Sequence, residues 1–346
     1  GASFTGTCNG SGAYTISNVA FVGDPVVHVY LDAGGAARGA VVTKTLTGNV
    51  TGLNIYEDAL IVRHEDTTPI TIDDLAYYDA TDDADLFFAA TSGAPDTLTL
   101  QPETELIVWG GDTFVPGGNI TLQSGGSGSQ RDGSLVLQAN AIFTAAGTES
   151  HAVGGGLSLA SGHTFTAANS TFTFTATTTG KSIQSSSTVS FYNIDFNGSG
   201  GGWNILAGAT TTIQNSFAVT AGTLGGTGDI EVQAGDITGS GTVTMTGGIV
   251  QLETGGNFGN SNEWTFATLI IGDGAASGIT TKAGSGTTTV STLLRLAASQ
   301  TFNAGTAPIV LTGSGTPFSA AGVFTVDTAP VRFRGTAATT VADEAY

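Results

Sequence analysis

Basic residues are scarce in this chain: nine lysines and arginines stand against 28 acids in 346 residues, for a formal net charge of −19. Nucleic-acid binding needs a cationic footprint against phosphate, and so does an electrostatic hold on anionic lipid. Neither partner is expected. Cysteine is almost missing too. Cys8 stands alone, so no disulfide can close within the chain; it reads as an incidental thiol or as a bridge to another subunit. Charged residues are 11% of the total, less than half of the ~25% usual in soluble domains. No apolar run approaches the ~18 residues of a membrane-crossing helix, so no membrane insertion is expected. Disorder is excluded by a 40% hydrophobic content and a mean hydropathy of +0.18. Collagen is excluded because the glycines have no three-residue period.

What fills the chain instead is glycine, 52 residues, together with serine and threonine at roughly a quarter of all positions, far above average usage. Uncharged, hydrated, β-compatible hydroxyl residues suit strand exteriors. A secreted chain is the natural reading, extracellular or at a cell surface. Gly1-Ala2-Ser3 shows neither the charged start nor the apolar core of a signal peptide, as expected of a mature chain or of a segment of a longer one. Asn-x-Ser/Thr sites at Asn9, Asn49, Asn119, Asn169 and Asn197 are about as many as chance provides at this Ser/Thr content. They permit glycosylation without arguing for it.

Composition divides the chain. Residues 1–112 hold 16 of the 28 acids; beyond Gly117-Gly118 a Gly/Ser/Thr texture takes over. There the alternation assigns faces, because successive strand residues point to opposite sides. In Thr171-Phe172-Thr173-Phe174-Thr175 the rings face one way and the hydroxyls the other. Asp229-Ile230-Glu231-Val232, Thr242-Val243-Thr244-Met245 and Val250-Gln251-Leu252-Glu253 repeat the pattern, and Val331-Arg332-Phe333-Arg334 turns both arginines outward. No stretch shows a convincing 3.6-residue stripe. Short one-sided strands at intervals of ~8–12 residues mean a sandwich, a barrel or a solenoid. Internal echoes favour the solenoid: Phe191-Tyr192-Asn193-Ile194 against Phe266-Ala267-Thr268-Leu269, and Phe172-Thr173-Phe174 against Val331-Arg332-Phe333. The expectation is an all-β protein with an N-terminal β-sandwich (1–66), an acidic β-rich connector (67–112) and a Gly/Thr-rich β-solenoid (113–346), a parallel β-helix in its simplest form. A stacked pair of sandwiches is the rival.

The order of Leu60-Ile61-Val62-Arg63-His64-Glu65-Asp66, Leu106-Ile107-Val108-Trp109-Gly110-Gly111-Asp112, Phe172-Thr173-Phe174-Thr175 and Phe191-Tyr192-Asn193-Ile194 resembles large repetitive secreted surface proteins of uncultured small-genome bacteria. More loosely it resembles autotransporter passengers and filamentous adhesins. The resemblance covers most of residues 55–340 and implies a structural or adhesive role, with no catalytic residues to carry over. Gly10-Ser11-Gly12-Ala13-Tyr14-Thr15-Ile16 followed by Val26-Val27-His28-Val29-Tyr30-Leu31 is similar to the transthyretin-like or carboxypeptidase-regulatory-like β-sandwich module. That module has strands upstream, and only nine residues precede Gly10. An incomplete sheet leaves an edge that templates another chain.

Candidate chemistry is thin. His28, His64, His151 and His163 show no close metal-ligand spacing. His64-Glu65-Asp66 could serve acid–base work or simply be a strand end with Arg63 pairing locally. Ten acids lie between Glu57 and Asp85 with Arg63 as the single lysine or arginine among them; Asp79, Asp82, Asp83 and Asp85 are the candidate metal ligands, for calcium. The spacing is neither an EF-hand nor a calcium-binding β-roll nonapeptide. Tyr77-Tyr78, Trp109, Trp203 and Trp264 serve either as core or as a sugar platform. Ser127 lies in a Gly/Ser run and is not a nucleophile elbow. The expected function is therefore non-enzymatic, without a cofactor unless calcium binds: an extracellular filament or adhesin protein whose partner is itself, head to tail by strand complementation, with surface glycans as a further partner. The alternatives are a polysaccharide-binding or polysaccharide-cleaving β-helix and a monomeric adhesin segment of a giant tandem-repeat protein.

Overall fold

A computed structural model describes residues 3–20, 25–32, 34, 37–45 and 49–340. The terminal stretch 341–346, part of the uncapped end expected from sequence, lies outside the described residues. The chain forms a parallel β-solenoid of about 13 turns, nearly all-β and 1% helical.

Each coil contributes short strands to three faces, and the strand registers show why the sequence alternates as it does. On the first face, Ala40, Leu60, Leu106, Leu135, Leu157, Ile183 and Ile205 stack directly above one another. Two residues earlier in the later coils, Trp203, Leu224, Val243, Trp264, Thr288, Ile309 and Val331 form a parallel column. The second face stacks Leu98, Ile120, His151, Phe172, Ile194, Phe217, Ile237, Phe258 and Lys282. The third face stacks Phe114, Phe143 and Phe165, then Val189, Thr211, Ile230, Val250, Leu269, Leu294 and Phe318. These columns merge into one dry interior running the length of the stack. Burying apolar surface contributes roughly 25 cal/mol per Å², and no single coil could bury its inner face alone.

Corners explain the glycines. Strands on successive coils lie ~4.8 Å apart, so each corner rests on the one beneath it. Gly235 adopts a φ of 88°, and a Cβ there would lie 1.8 Å from the Asn215 carbonyl oxygen of the preceding coil. Both the left-handed backbone and the contact demand glycine.

The boundaries differ from the compositional ones. Ala40–Lys44 and Ala59–Val62 pair in parallel with each other and then with Glu105–Val108, so coiling begins near residue 40 and residue 113 falls inside the stack. No separate sandwich forms among the described residues of 1–66. Instead the N-terminal end is closed by strands of reversed direction: Val26–Tyr30 runs antiparallel to Ala40–Lys44, and Phe88–Thr91 antiparallel to Asp96–Leu100. The one helix among the described residues, Ile72–Leu75, is started by Thr71, whose hydroxyl accepts from the Asp74 amide while the Asp74 carboxylate accepts from the Thr71 amide. The echoes in the sequence are one face out of step: Phe191 belongs to the third face and Phe266 to the first, while Phe172 belongs to the second and Val331 to the first.

A strap crosses the outside of the stack. Residues 123–133 leave the second face and run across the corner 154–156, where a Cβ on Gly155 would lie 2.2 Å from the Asp132 carbonyl oxygen. Asp132 is buried and accepts from the amides of Glu103, Gly125 and Ser127 at 2.9, 2.7 and 3.1 Å. Lys181, from a later coil, places its ammonium 3.5 Å from the Asp132 carboxylate and donates to the Ser127 and Ser129 carbonyls at 2.9 and 2.5 Å. Both side chains are fully buried. Removing one partner of such a pair strands the other charge, at about 3–5 kcal/mol. Lys181→Met should therefore lower the free energy of unfolding by about that amount. Lys181→Met with Asp132→Asn should recover much of the loss, and paired denaturant titrations check both.

Candidate functional site

Parallel stacking gathers Arg63, His64, Glu65, Trp109 and Asp112 at one corner. Val62 pairs with Val108, so the next residues, Arg63 and Trp109, also overlie one another, with the guanidinium carbon 5.9 Å from the indole centroid. Tyr56 meets Trp109 from another direction, 6.1 Å between centroids. Arg63 also pairs with Glu65 at 2.8 Å and donates to the Gly52 carbonyl at 2.8 Å. His64 accepts from the Thr113 amide through Nε2 at 3.0 Å. Its proton is thereby assigned to Nδ1, which lies 3.7 Å from the Asp112 carboxylate. Burial raises the Asp112 pKa, His64 and Arg63 pull it down, and the Glu65 charge pushes it up.

This geometry limits the chemistry. A nucleophile activated by histidine must face Nε2 while the carboxylate holds Nδ1. Here a backbone amide occupies Nε2, so His64 and Asp112 form an orienting pair without an attacking group. Asp66 spends one carboxylate oxygen on the Thr68 amide at 2.6 Å. Asp112, drawn to this corner from 48 residues away, was not singled out from sequence; only knowing the coil register would have found it.

The candidate calcium ligands occupy turns at the N-terminal closure. Asp79 is buried and accepts from the Thr81 amide, the Thr81 hydroxyl and the Ala90 amide at 2.8, 2.7 and 2.6 Å. Asp82 accepts from the Asp79 amide at 3.1 Å. Asp83 accepts from the Tyr30 hydroxyl at 2.6 Å and from the Asp85 amide at 3.0 Å, and the Tyr30 bond holds the Asp83 carboxyl below its ordinary range. Asp85 shares a side-chain hydrogen bond with Asp32, and that bond, with the repulsion between the two carboxyls, raises the Asp32 pKa. Among the described residues, no three or more His, Cys, Asp or Glu side chains gather so that they could hold a metal ion.

The remaining sites are dispersed. Trp203 and Trp264 are core residues whose indoles donate to the Gly155 and Gly241 carbonyls, both at 3.0 Å. Tyr77 is exposed. His28 donates from Nε2 to the Asp74 carbonyl, 3.1 Å away, and burial lowers its pKa. His163 lies 2.8 Å from the Ala160 carbonyl. Lys282 is buried, donates to the Gly286 carbonyl at 2.8 Å, and has its pKa lowered by burial. Cys8 is exposed. No helix among the described residues is long and apolar enough to cross a membrane.

Two shallow grooves lie on the outer side of the second face. One, about 390 Å³, is lined by Thr171, Asn193, Asp195, Asn215 and Ser216. The Asn215 amide donates to Asn193 at 2.8 Å and the Asn193 amide to Thr171 at 3.1 Å, a ladder climbing the coils. The other, about 510 Å³, is lined by Asn119, Gly147, Glu149 and Ser150. No family model, curated protein or solved structure matches this chain.

Asp79 serves the turn directly. Asp79→Ala should cost about 1–3 kcal/mol, the penalty of leaving buried amides unpaired. The shift in Tm should be the same with millimolar calcium as with a chelator, which thermal melts under both conditions check.

Proposed function

We propose that this chain is an extracellular structural protein of a cell-surface filament or adhesin, a rigid rod that associates head to tail with further copies by strand complementation. The observation that carries this reading is an asymmetry between the two ends. Reversed strands close the N-terminal coils. At the other end, Phe318–Ala320, Val323–Thr325 and Val331–Phe333 have a strand partner only on the coil before them, among the described residues. Phe324, Val331 and Phe333 there are only partly buried against the core. Residues 3–20 form no strand, although Tyr14-Thr15-Ile16 carries the same alternation as the coils. Tyr14 anchors this arm by donating to the Leu53 carbonyl at 2.7 Å. An edge wanting a strand and a strand-competent arm outside every sheet are complementary features, and a contact joining unlike surfaces builds a fibre when it does not close.

Negative-stain microscopy and sedimentation of the whole chain should show fibres. Deleting residues 1–20 should leave single particles with an unchanged circular dichroism spectrum. Monomers at high concentration, or fibres that survive the deletion, would refute strand donation.

The grooves of the second face favour surface glycans as an additional partner. Their amide and hydroxyl linings offer both donors and acceptors to sugar hydroxyls. A glycan array should show binding to neutral polysaccharides that Asn193→Ala with Asn215→Ala weakens at least several-fold, with no reducing sugar released.

A further inference from the structure

The inner column of the second face is apolar from Leu98 to Phe258 except at His151. His151 is 1% exposed, stacked between Ile120 of the coil before and Phe172 of the coil after. Its ring lies 4.6 Å from that of Phe172 and 5.7 Å from that of Phe143. Neither ring nitrogen has a hydrogen-bond partner. An unpaired imidazole is tolerable in such a cage only while neutral, because an isolated buried charge is far costlier than a buried dipole.

The surroundings offer almost nothing to offset the charge. Gly118–Leu122, Thr171–Phe174 and Ile142–Thr144, the strands packed against His151, contain no titratable residue. On its own coil, Glu149 is the one charge that favours the imidazolium, and its carboxylate is already committed to the Ala146 and Gly147 amides, both at 2.8 Å. Burial pulls the His151 pKa from 6.5 down to about 4. The unfolded chain therefore takes up the proton first. The stability that neutral His151 contributes is complete above pH 6.5, falls about tenfold in equilibrium constant per pH unit below it, and is lost once pH passes about 4.

The same coil is bracketed from outside. The strap joins Asp132, one coil earlier, to Lys181, one coil later, and passes over the 154–156 corner between them. We propose that the coil carrying His151, residues 138–160, is an acid-sensitive joint in the rod: protonation of the imidazole opens this coil locally, while the strap holds its two neighbours together.

Hydrogen exchange of the whole chain tests this, comparing the amides of Ser150–Val153 with those of Thr242–Met245, a strand without titratable residues. After correction for intrinsic rates, the open population at Ser150–Val153 should rise on the order of 50-fold between pH 7.5 and 4.5. Thr242–Met245 should change little. His151→Leu should abolish the rise. An undiminished rise in that variant, or an equal rise at both strands, would overturn the joint. Should the variant fail to fold, NMR titration of the wild-type imidazole decides: a midpoint near 4 supports the proposal, and one near 6.5 overturns it.

Discussion

Every coil of this protein must place its backbone within hydrogen-bonding distance of the coil beneath, on three faces at once. That spacing, ~4.8 Å, is the constraint from which the rest follows. Side chains have no freedom to interdigitate across a staggered sheet; each lies directly over its counterpart. Apolar residues therefore form columns, aromatic rings stack with their kind, as Phe174 does on Phe196 at 5.0 Å, and the tightest corners, such as the one at Gly235, require glycine. The unusual composition is a consequence of this geometry. Glycine serves the corners, threonine and asparagine serve the outer columns, and charge is sparse because like charges one coil apart would repel with little water between them.

A continuous dry interior also dictates how buried ionisable groups are treated, and the chain shows three solutions. Lys181 is allowed inside because the strap brings it a carboxylate and two carbonyls. Lys282 has a single carbonyl, and its pKa falls. His151 has no polar partner and survives by remaining neutral. The difference lies in which corner has a loop long enough to reach the charge. The strap exists only because residues 123–133 exceed what the turn requires, and it fits only because 154–156 are glycines.

The faces were legible from sequence because alternation is a local property. The inward assignments of Phe172, Ile230, Val243 and Val250 follow from period two alone, and all four are buried. The phase of the coils was not legible, since all three faces carry the same alternation and an echo such as Phe191 against Phe266 matches equally well one face out of step. The boundary near 113 misled for a physical reason. Acidic residues concentrate in the segment that folds back over the first coils, where Asp74 and Asp79 hold turns together, so composition marked the closure and not the start of coiling. The polar corner was half legible: Arg63, His64, Glu65 and Asp66 stand out, but Trp109 and Asp112 join them only through register. The Asp132–Lys181 pair left no sequence signal, because its partners are separated by two coils.

Among the described residues, reversed strands close one end of the solenoid and the last strands pair only with the coil before them, which gives the stack a direction. Antiparallel closure by Val26–Tyr30 and Phe88–Thr91 stops the parallel ladder, since a further coil laid against either strand would have to run the wrong way. Among the described residues, the parallel ladder can be continued in the same direction only beyond strands such as Val331–Phe333. An arm that supplies one strand, instead of a whole coil, avoids the conflict, because a single extended segment can take either orientation against an exposed edge. The strand donation proposed for residues 3–20 is compatible with these reversed strands, whereas parallel continuation of whole coils against them would conflict with their direction.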